Sequence, residues 1–114
     1  MGVKKKNEET LELDMDVIGF TIISNVGTAK SLVMEALYAA KDGDYALAEE
    51  KLEESKQYFI EGHKVHSSLI QKEASGEKLQ VSLILMHAED QLMSAETISE
   101  LVKEMIEMYK KINK

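Results

Sequence analysis

Residues 83–95 read LILMHAEDQLMSA, an apolar run that contains one histidine, His87, and one aspartate, Asp90. Apolar side chains recur from this run to the C-terminus at a spacing of about 3.5 residues, the pattern of a coiled-coil-like helix seam. The pattern predicts a long third helix, from about residue 79 to residue 111. Its predicted seam consists of Ile84, Ala88, Gln91, Ala95, Ile98, Val102, Met105, Tyr109 and Ile112.

Two further helices are predicted upstream by the same periodicity and by the few glycines of a chain that has no proline. The first is expected to begin at Asp16 and to end at the sequence DGD, where Gly43 suits a helix C-terminus and Asp44 an N-cap. The second is expected to run on to the sequence ASGE, with Gly76 in the left-handed conformation. Turns of two or three residues between such helices predict an all-α, antiparallel up-down-up three-helix bundle.

The length of 114 residues suits one domain. Residues 1–15 are charged and are predicted to form a flexible N-terminal segment, which leaves residues 16–114 as a single three-helix domain. No apolar stretch approaches the roughly 20 residues of a membrane span, and no apolar run follows the N-terminal lysines as a secretory signal requires. The absence of cysteine fits a reducing compartment. A cytoplasmic protein is therefore expected.

The net charge of −7 argues against nucleic acid, which needs clustered Lys or Arg, and suits protein partners that carry basic patches. Without cysteine there is no thiolate nucleophile, disulfide or Cys-ligated zinc. A Gly-rich phosphate loop and an HExxH motif are also absent from the sequence. Covalent chemistry would therefore use His, Ser, Thr, Lys, Tyr or a carboxylate.

The third helix is more apolar than a monomeric bundle requires. Four consecutive large apolar residues, 83–86, are followed by Leu92 and Met93, so that more than one helix face is apolar. The first helix behaves in the same way around Val17 and Phe20. A second interface would bury these faces, which predicts a homo-oligomer. The alternative is a monomer with a groove for a partner.

The imidazole of His87 projects from this apolar surface. Asp90 and Gln91 lie one turn further along the helix, within reach of the ring. A carboxylate or amide that fixes one ring nitrogen leaves the other lone pair directed outward, as a nucleophilic or metal-binding histidine requires. Neutral imidazole also accepts and donates a phosphoryl group near neutral pH. The alternative is a buried structural pair of His87 with Asp90.

Asp90 needs a cationic partner on so apolar a surface. In an oligomer built on this helix, several copies of Asp90 would gather around the axis, and either protonation or a hard cation such as Mg²⁺ would relieve their repulsion. The alternative is a hydrated groove in which Asp90 pairs with a lysine.

His63 and His66 lie three residues apart on the second helix, so a two-histidine metal site is conceivable. Only Glu61 and Gln71 lie at close helical spacing to complete it. Ordinary surface histidines are therefore the favoured interpretation.

Four segments carry a resemblance to a known family: IISNVGTAKSLVMEAL, AAKDGDYALAEEKLEES, EGHKVHSSLI and, above all, VSLILMHAEDQLMSAE. The chain resembles the IIA component of the lactose and cellobiose (chitobiose) class of the bacterial phosphoenolpyruvate-dependent sugar phosphotransferase system. That family carries its phosphorylated histidine in an H-x-x-D-x-L-M context, which His87, Asp90, Leu92 and Met93 match.

The resemblance implies a homotrimeric phosphotransferase component in which His87 is the catalytic residue. It would take a phosphoryl group from the phosphocarrier HPr and pass it to a cysteine of the IIB component, for uptake of lactose- or cellobiose-type disaccharides through a membrane IIC permease. The chain itself would not insert into the membrane. The resemblance also implies that Asp90 of three subunits shares one Mg²⁺ on the trimer axis.

Two positions depart from the family pattern. Gln91 stands where a second histidine is frequent, and Glu89, where glutamine is common, adds a negative charge beside the site. The hydroxyls of Ser82 and Ser94 are candidate donors to phosphate oxygens. The alternative function is a non-catalytic regulatory or scaffold helical bundle, but such a bundle would have no reason to retain His87 and Asp90.

Overall fold

The computed structural model describes the backbone of residues 2–113 and the side chains of residues 15–113. These residues form three helices and no strand: α1 (Gly2–Lys41), α2 (Tyr45–Ala74) and α3 (Leu83–Ile112). The predicted all-α three-helix bundle is confirmed. The predicted start of α1 is wrong, because the helix continues through Asp16 back to Gly2. The flexibility of residues 1–15 stays a prediction, since the side chains before residue 15 lie outside the described residues.

The turn between α1 and α2 follows the prediction for the DGD sequence. Gly43 adopts a positive φ of 84°, a conformation that glycine tolerates without steric cost. The carboxylate of Asp44 accepts a hydrogen bond of 3.1 Å from the backbone N–H of Leu47 and so caps α2. This tight turn reverses the chain and sets α2 antiparallel to α1.

The connection between α2 and α3 is longer than predicted. Gly76 ends α2 with a φ of 98°, as expected, and the N–H of Glu77 closes the end by donating to the carbonyl of Lys72. The helix α3 begins at Leu83 rather than near residue 79, because the Ser82 hydroxyl accepts a 3.1 Å hydrogen bond from the N–H of Leu85 and caps α3 there.

The central element is α1, since α2 and α3 both pack along it and contact each other much less. Its side chains Ile22, Val26 and Val33 are fully buried, together with Leu92 and Ile106 of α3. The two outer helices leave between them an open groove of about 1100 Å³. Any polar contact that crosses this groove therefore contributes to how α3 sits relative to α2.

Three of the nine predicted α3 seam residues are buried. Ala88, Ala95 and Val102 are buried as expected, but Leu85 and Leu92 are buried in place of Ile84 and Gln91. Adjacent stripes of α3 are both apolar, so the periodicity alone did not decide which one faces the core. The observed heptad seam consists of Leu85, Ala88, Leu92, Ala95, Ser99, Val102 and Ile106.

Gly19 brings α1 and the first turn of α3 unusually close together. A Cβ at this position would lie 2.8 Å from the Cγ2 of Ile84, well inside van der Waals contact. Close approach of backbones requires the missing side chain here. The first turn of α3 is thus held directly against α1.

The segment Met15–Lys41 of α1 is long and apolar enough to cross a membrane, with a mean hydropathy of 1.4. This corrects the expectation that no stretch of the chain approaches that length. Core helices of soluble proteins reach the same length and hydropathy. The side chains of Ile22, Val26 and Val33, which raise the hydropathy, are buried within the bundle.

Candidate functional site

His87 lies in the second turn of α3 and points away from the core. The next residue, Ala88, is fully buried against α1, and successive side chains on a helix diverge by about 100°. Exposed apolar side chains lie beside the imidazole: Leu83 is 81% exposed and Met86 is 59% exposed. The site is therefore an accessible histidine beside exposed apolar side chains.

The interpretation of His87 and Asp90 as a buried structural pair is wrong for the single subunit, because both side chains are exposed. Within residues 15–113, His63 and His66 lie against carboxylates, whereas His87 does not. The imidazole of His87 is thus exposed and unpaired within the described residues.

Asp90 lies one turn after His87, between the exposed side chains of Met86 and Met93. It borders a small, mainly apolar groove of about 370 Å³ at the α2 side of α3. The ion-paired lysines of residues 15–113 all contact glutamates, so the alternative in which Asp90 pairs with a lysine is not observed. One subunit therefore presents an uncompensated carboxylate on an apolar face.

A metal ion would fit Asp90 only as a shared ligand. The part of the chain with described side chains contains no group of three His, Asp or Glu side chains that could hold a metal. A single carboxylate is too small a ligand set for Mg²⁺, which prefers six oxygen ligands. The residues present suit the ion if several subunits each contribute Asp90, with water completing the coordination.

The exposed apolar surface extends well beyond His87. Val17 and Phe20 of α1 are more than half exposed, as are Leu83 and Met86 of α3. Isolated exposed apolar residues are ordinary, but several that flank the contact of Gly19 with Ile84 indicate an interaction surface. The observation agrees with the predicted second interface, while the number of subunits stays a prediction.

The histidines of α2 find partners that the sequence analysis missed. The Nε2 of His63 lies 2.7 Å from a carboxylate oxygen of Glu96, and the Nδ1 of His66 contacts Glu89. Both glutamates belong to α3, so helical spacing on α2 could not reveal them. The two pairs use different carboxylates, and the proposed two-histidine metal site does not find a third ligand among the described residues.

Glu89 is turned away from the face that carries His87. Its side chain is only 23% exposed and that of its partner, His66, 27%. Residues two apart on a helix point in nearly opposite directions, which explains the arrangement. The carboxylate of Glu89, which was predicted to add a negative charge beside the site, therefore contacts His66 of α2 instead.

The other polar residues predicted for the site are less well placed to contact a group bound to His87. Gln91 is half-buried, and the Ser82 hydroxyl is engaged as the α3 cap. Ser94 is exposed but lies two turns beyond His87, about 10 Å along the helix. At that separation its hydroxyl cannot reach a phosphoryl group on His87 of the same subunit.

Comparison with known proteins places these features in context. Residues 17–110 match the family described as PTS system, Lactose/Cellobiose specific IIA subunit. The chain is 41% identical over 99 residues to the lichenan-specific phosphotransferase enzyme IIA component of Bacillus subtilis, covering 87% of this chain and 90% of that protein. It is 39% identical over 95 residues to the lactose-specific EIIA component of Streptococcus mutans, covering 83% and 91%.

Two solved structures have the same fold. The cellobiose-specific enzyme IIA of Bacillus anthracis superposes with a TM-score of 0.84 at 44% identity, covering 87% of this chain and 91% of that one. The IIA(chitobiose) of Escherichia coli, determined as a complex with HPr, gives a TM-score of 0.75 at 35% identity, covering 88% and 97%.

Proposed function

Because this chain belongs to the lactose/cellobiose-specific IIA subunit family of the phosphotransferase system, we propose that it carries a phosphoryl group on His87 between two protein partners. The observation that carries the proposal is the exposed imidazole of His87 on an apolar face of α3. A carrier histidine must be reachable by a donor and an acceptor in turn. A histidine held in the core would satisfy neither requirement.

In the first step, the Nε2 lone pair of His87 attacks the phosphorus of phospho-HPr in line. An N–P bond forms on His87 while the N–P bond of the donor breaks, and the donor imidazole leaves. HPr is proposed as the donor because the Escherichia coli relative forms a complex with HPr. In the second step, a thiolate of the IIB component attacks the same phosphorus, so that an S–P bond forms and neutral His87 is regenerated.

The exposed apolar side chains around His87 have a defined role in this scheme. Leu83 and Met86 would be covered when a partner docks, which excludes water from the phosphoryl group. Transfer between two nitrogens of similar chemistry needs little acid or base assistance. Positioning of the attacking nitrogen in line with the bond that breaks is then the main contribution of the protein.

We further propose that the chain works as a homotrimer in the cytoplasm, with Asp90 of three subunits binding one Mg²⁺ on the axis. The ion would neutralise the gathered carboxylates and would not take part in the transfer. The relatives specific for lichenan and lactose support a disaccharide of the lactose or cellobiose type as the final acceptor, taken up through a membrane IIC permease.

The test is labelling with radioactive phosphoenolpyruvate, enzyme I and HPr. We expect the chain to acquire one acid-labile, base-stable phosphoryl group, and His87→Ala to abolish it. His63→Ala is the matched control, since it removes another imidazole from an exposed position and should leave the label intact. Label on the His87→Ala protein would disprove the assignment of His87. A wild-type chain that takes no label would favour the regulatory or scaffold bundle.

A further inference from the structure

A contact between the side chains of His66 and Glu89 joins α2 to the turn of α3 that carries His87 and Asp90. The contacting atoms, Nδ1 of His66 and Oε2 of Glu89, are shielded from solvent, and neither has an aligned hydrogen-bond partner among the described residues. Removing one side chain would leave the other shielded from solvent without this polar neighbour, which is costly. The two side chains therefore depend on each other for their placement.

Few other polar contacts link the two outer helices in residues 15–113. They lie further along α3: Glu96 with His63, Lys110 with Glu49, and Asn113 with Tyr45. The groove of about 1100 Å³ separates α2 from α3 over part of their length. Among the described contacts, only the pair of His66 and Glu89 ties α2 to the second turn of α3 through polar groups.

The preceding chain supports the start of α3 through the Ser82 cap and through Leu79, which packs against the core. Residues 75–82 are not helical, and most of their side chains are exposed. On the α1 side, the first turn of α3 rests against Gly19 through Ile84. On the α2 side, apolar packing by Leu69 and Leu85 is accompanied by the pair of His66 and Glu89. The turn that carries His87 is thus held from two sides.

We propose that His66 is a positioning residue for phosphoryl transfer at His87. By holding Glu89 against α2, it fixes the turn of α3 from which the imidazole projects towards its partners. The inference rests on the proposed function of His87. In-line transfer depends steeply on alignment, and a misplacement of about 1 Å can lower a rate about 100-fold. His66 acts through Glu89 and touches neither the donor nor the phosphoryl group.

The kinetic test uses the full-length chain and rapid-quench labelling of His87 over a series of phospho-HPr concentrations. We expect His66→Ala to lower the maximal rate about tenfold, with the half-saturating HPr concentration changed by less than about twofold. His66→Asn, whose side-chain amide N–H lies near the position of Nδ1 and can donate to Glu89, should recover most of the rate. His63→Ala, which removes the neighbouring pair with Glu96, should leave the rate within about twofold of wild type.

A second set of variants separates positioning from general destabilisation. Glu89→Ala removes the same contact from the α3 side and should lower the rate as His66→Ala does. The double variant leaves no unpaired buried group, and we expect it to be slowed by about the same factor as either single variant, because both substitutions remove one shared contact. If His66→Ala does not fold, as judged by circular dichroism, the double variant carries the same test. A double variant with the wild-type rate would overturn the proposal.

Amide hydrogen exchange supplies a readout that does not require phosphoryl transfer. Exchange at residues 86–90 should become about tenfold faster in His66→Ala and should not change in His63→Ala. A wild-type chain that takes no label would defeat the proposed function, while the exchange experiment would still test the coupling of α2 to α3. Unchanged rate and exchange in His66→Ala, or equal slowing by His66→Ala and His63→Ala, would refute the positioning role.

Discussion

At the scale of single residues, the position of His87 depends on a glycine on another helix. Gly19 lets Ile84 approach α1 so closely that a Cβ at position 19 would lie 2.8 Å from the Ile84 side chain. His87 follows three residues after Ile84, and its side chain is exposed to solvent. His87, the proposed phosphoryl carrier, stands out in its own sequence context because it interrupts an apolar run. The role of Gly19 could not be predicted, because the residue that it contacts, Ile84, lies far away in the sequence.

Substitution of Gly19 tests this contact. We expect Gly19→Ala to lower the free energy of unfolding by about 1–3 kcal/mol, because the added methyl group forces Ile84 to move in a packed region. Gly27→Ala is the matched control on the same helix, since a Cβ there meets nothing within 4 Å. Alanine in a helix is favoured over glycine by about 1 kcal/mol, so the control should be neutral or stabilising. Urea unfolding measures both, and equal stabilities would contradict the close contact.

At the scale of the elements, the turn chemistry was predictable because each signal is local. Gly43, Asp44 and Gly76 act where the sequence places them, since a positive φ and an N-cap require only the neighbouring backbone. The α3 seam and the partners of Glu89 depend on how helices turn towards each other, which no local pattern reports. The start of α3 was misplaced because Leu79 continues the apolar pattern, whereas Ser82 provides the cap.

The caps of α2 and α3 are predicted to affect stability equally but labelling of His87 differently. Ser82→Ala removes the hydroxyl that caps α3 and should cost about 1 kcal/mol of stability. Because the lost cap lies next to the turn that carries His87, this variant should also slow labelling of His87. Asp44→Ala removes the α2 cap at the opposite end of α2, so it should cost a similar amount of stability and leave labelling unchanged. Thermal unfolding and phosphoryl labelling of the two variants distinguish these effects; equal labelling rates would contradict a local role for Ser82.

At the scale of the whole molecule, two properties of the single subunit call for a second interface. The side chains of Val17, Phe20 and Leu83 are exposed, and the exposed carboxylate of Asp90 has no cationic partner among the described residues. Association would bury the apolar area, which is favourable, but it would also bring copies of Asp90 together. The net charge of −7 per chain adds to that repulsion. The proposed trimer is therefore stable only if the gathered carboxylates are neutralised.

Asp90→Leu tests this balance. Replacing a buried, repelling carboxylate by an apolar side chain of similar volume is often stabilising by about 1–4 kcal/mol, so the variant should keep or tighten the assembly. Sedimentation at micromolar concentration should give about three times the 12.8 kDa of one subunit for both proteins. A chelator should weaken the wild-type assembly and leave Asp90→Leu unaffected, because only the former depends on a cation. Asp42→Leu, at an exposed turn, controls for the added apolar surface. A monomeric wild type, or dissociation caused by Asp90→Leu, would refute a trimer in which Asp90 faces its own copies across the axis.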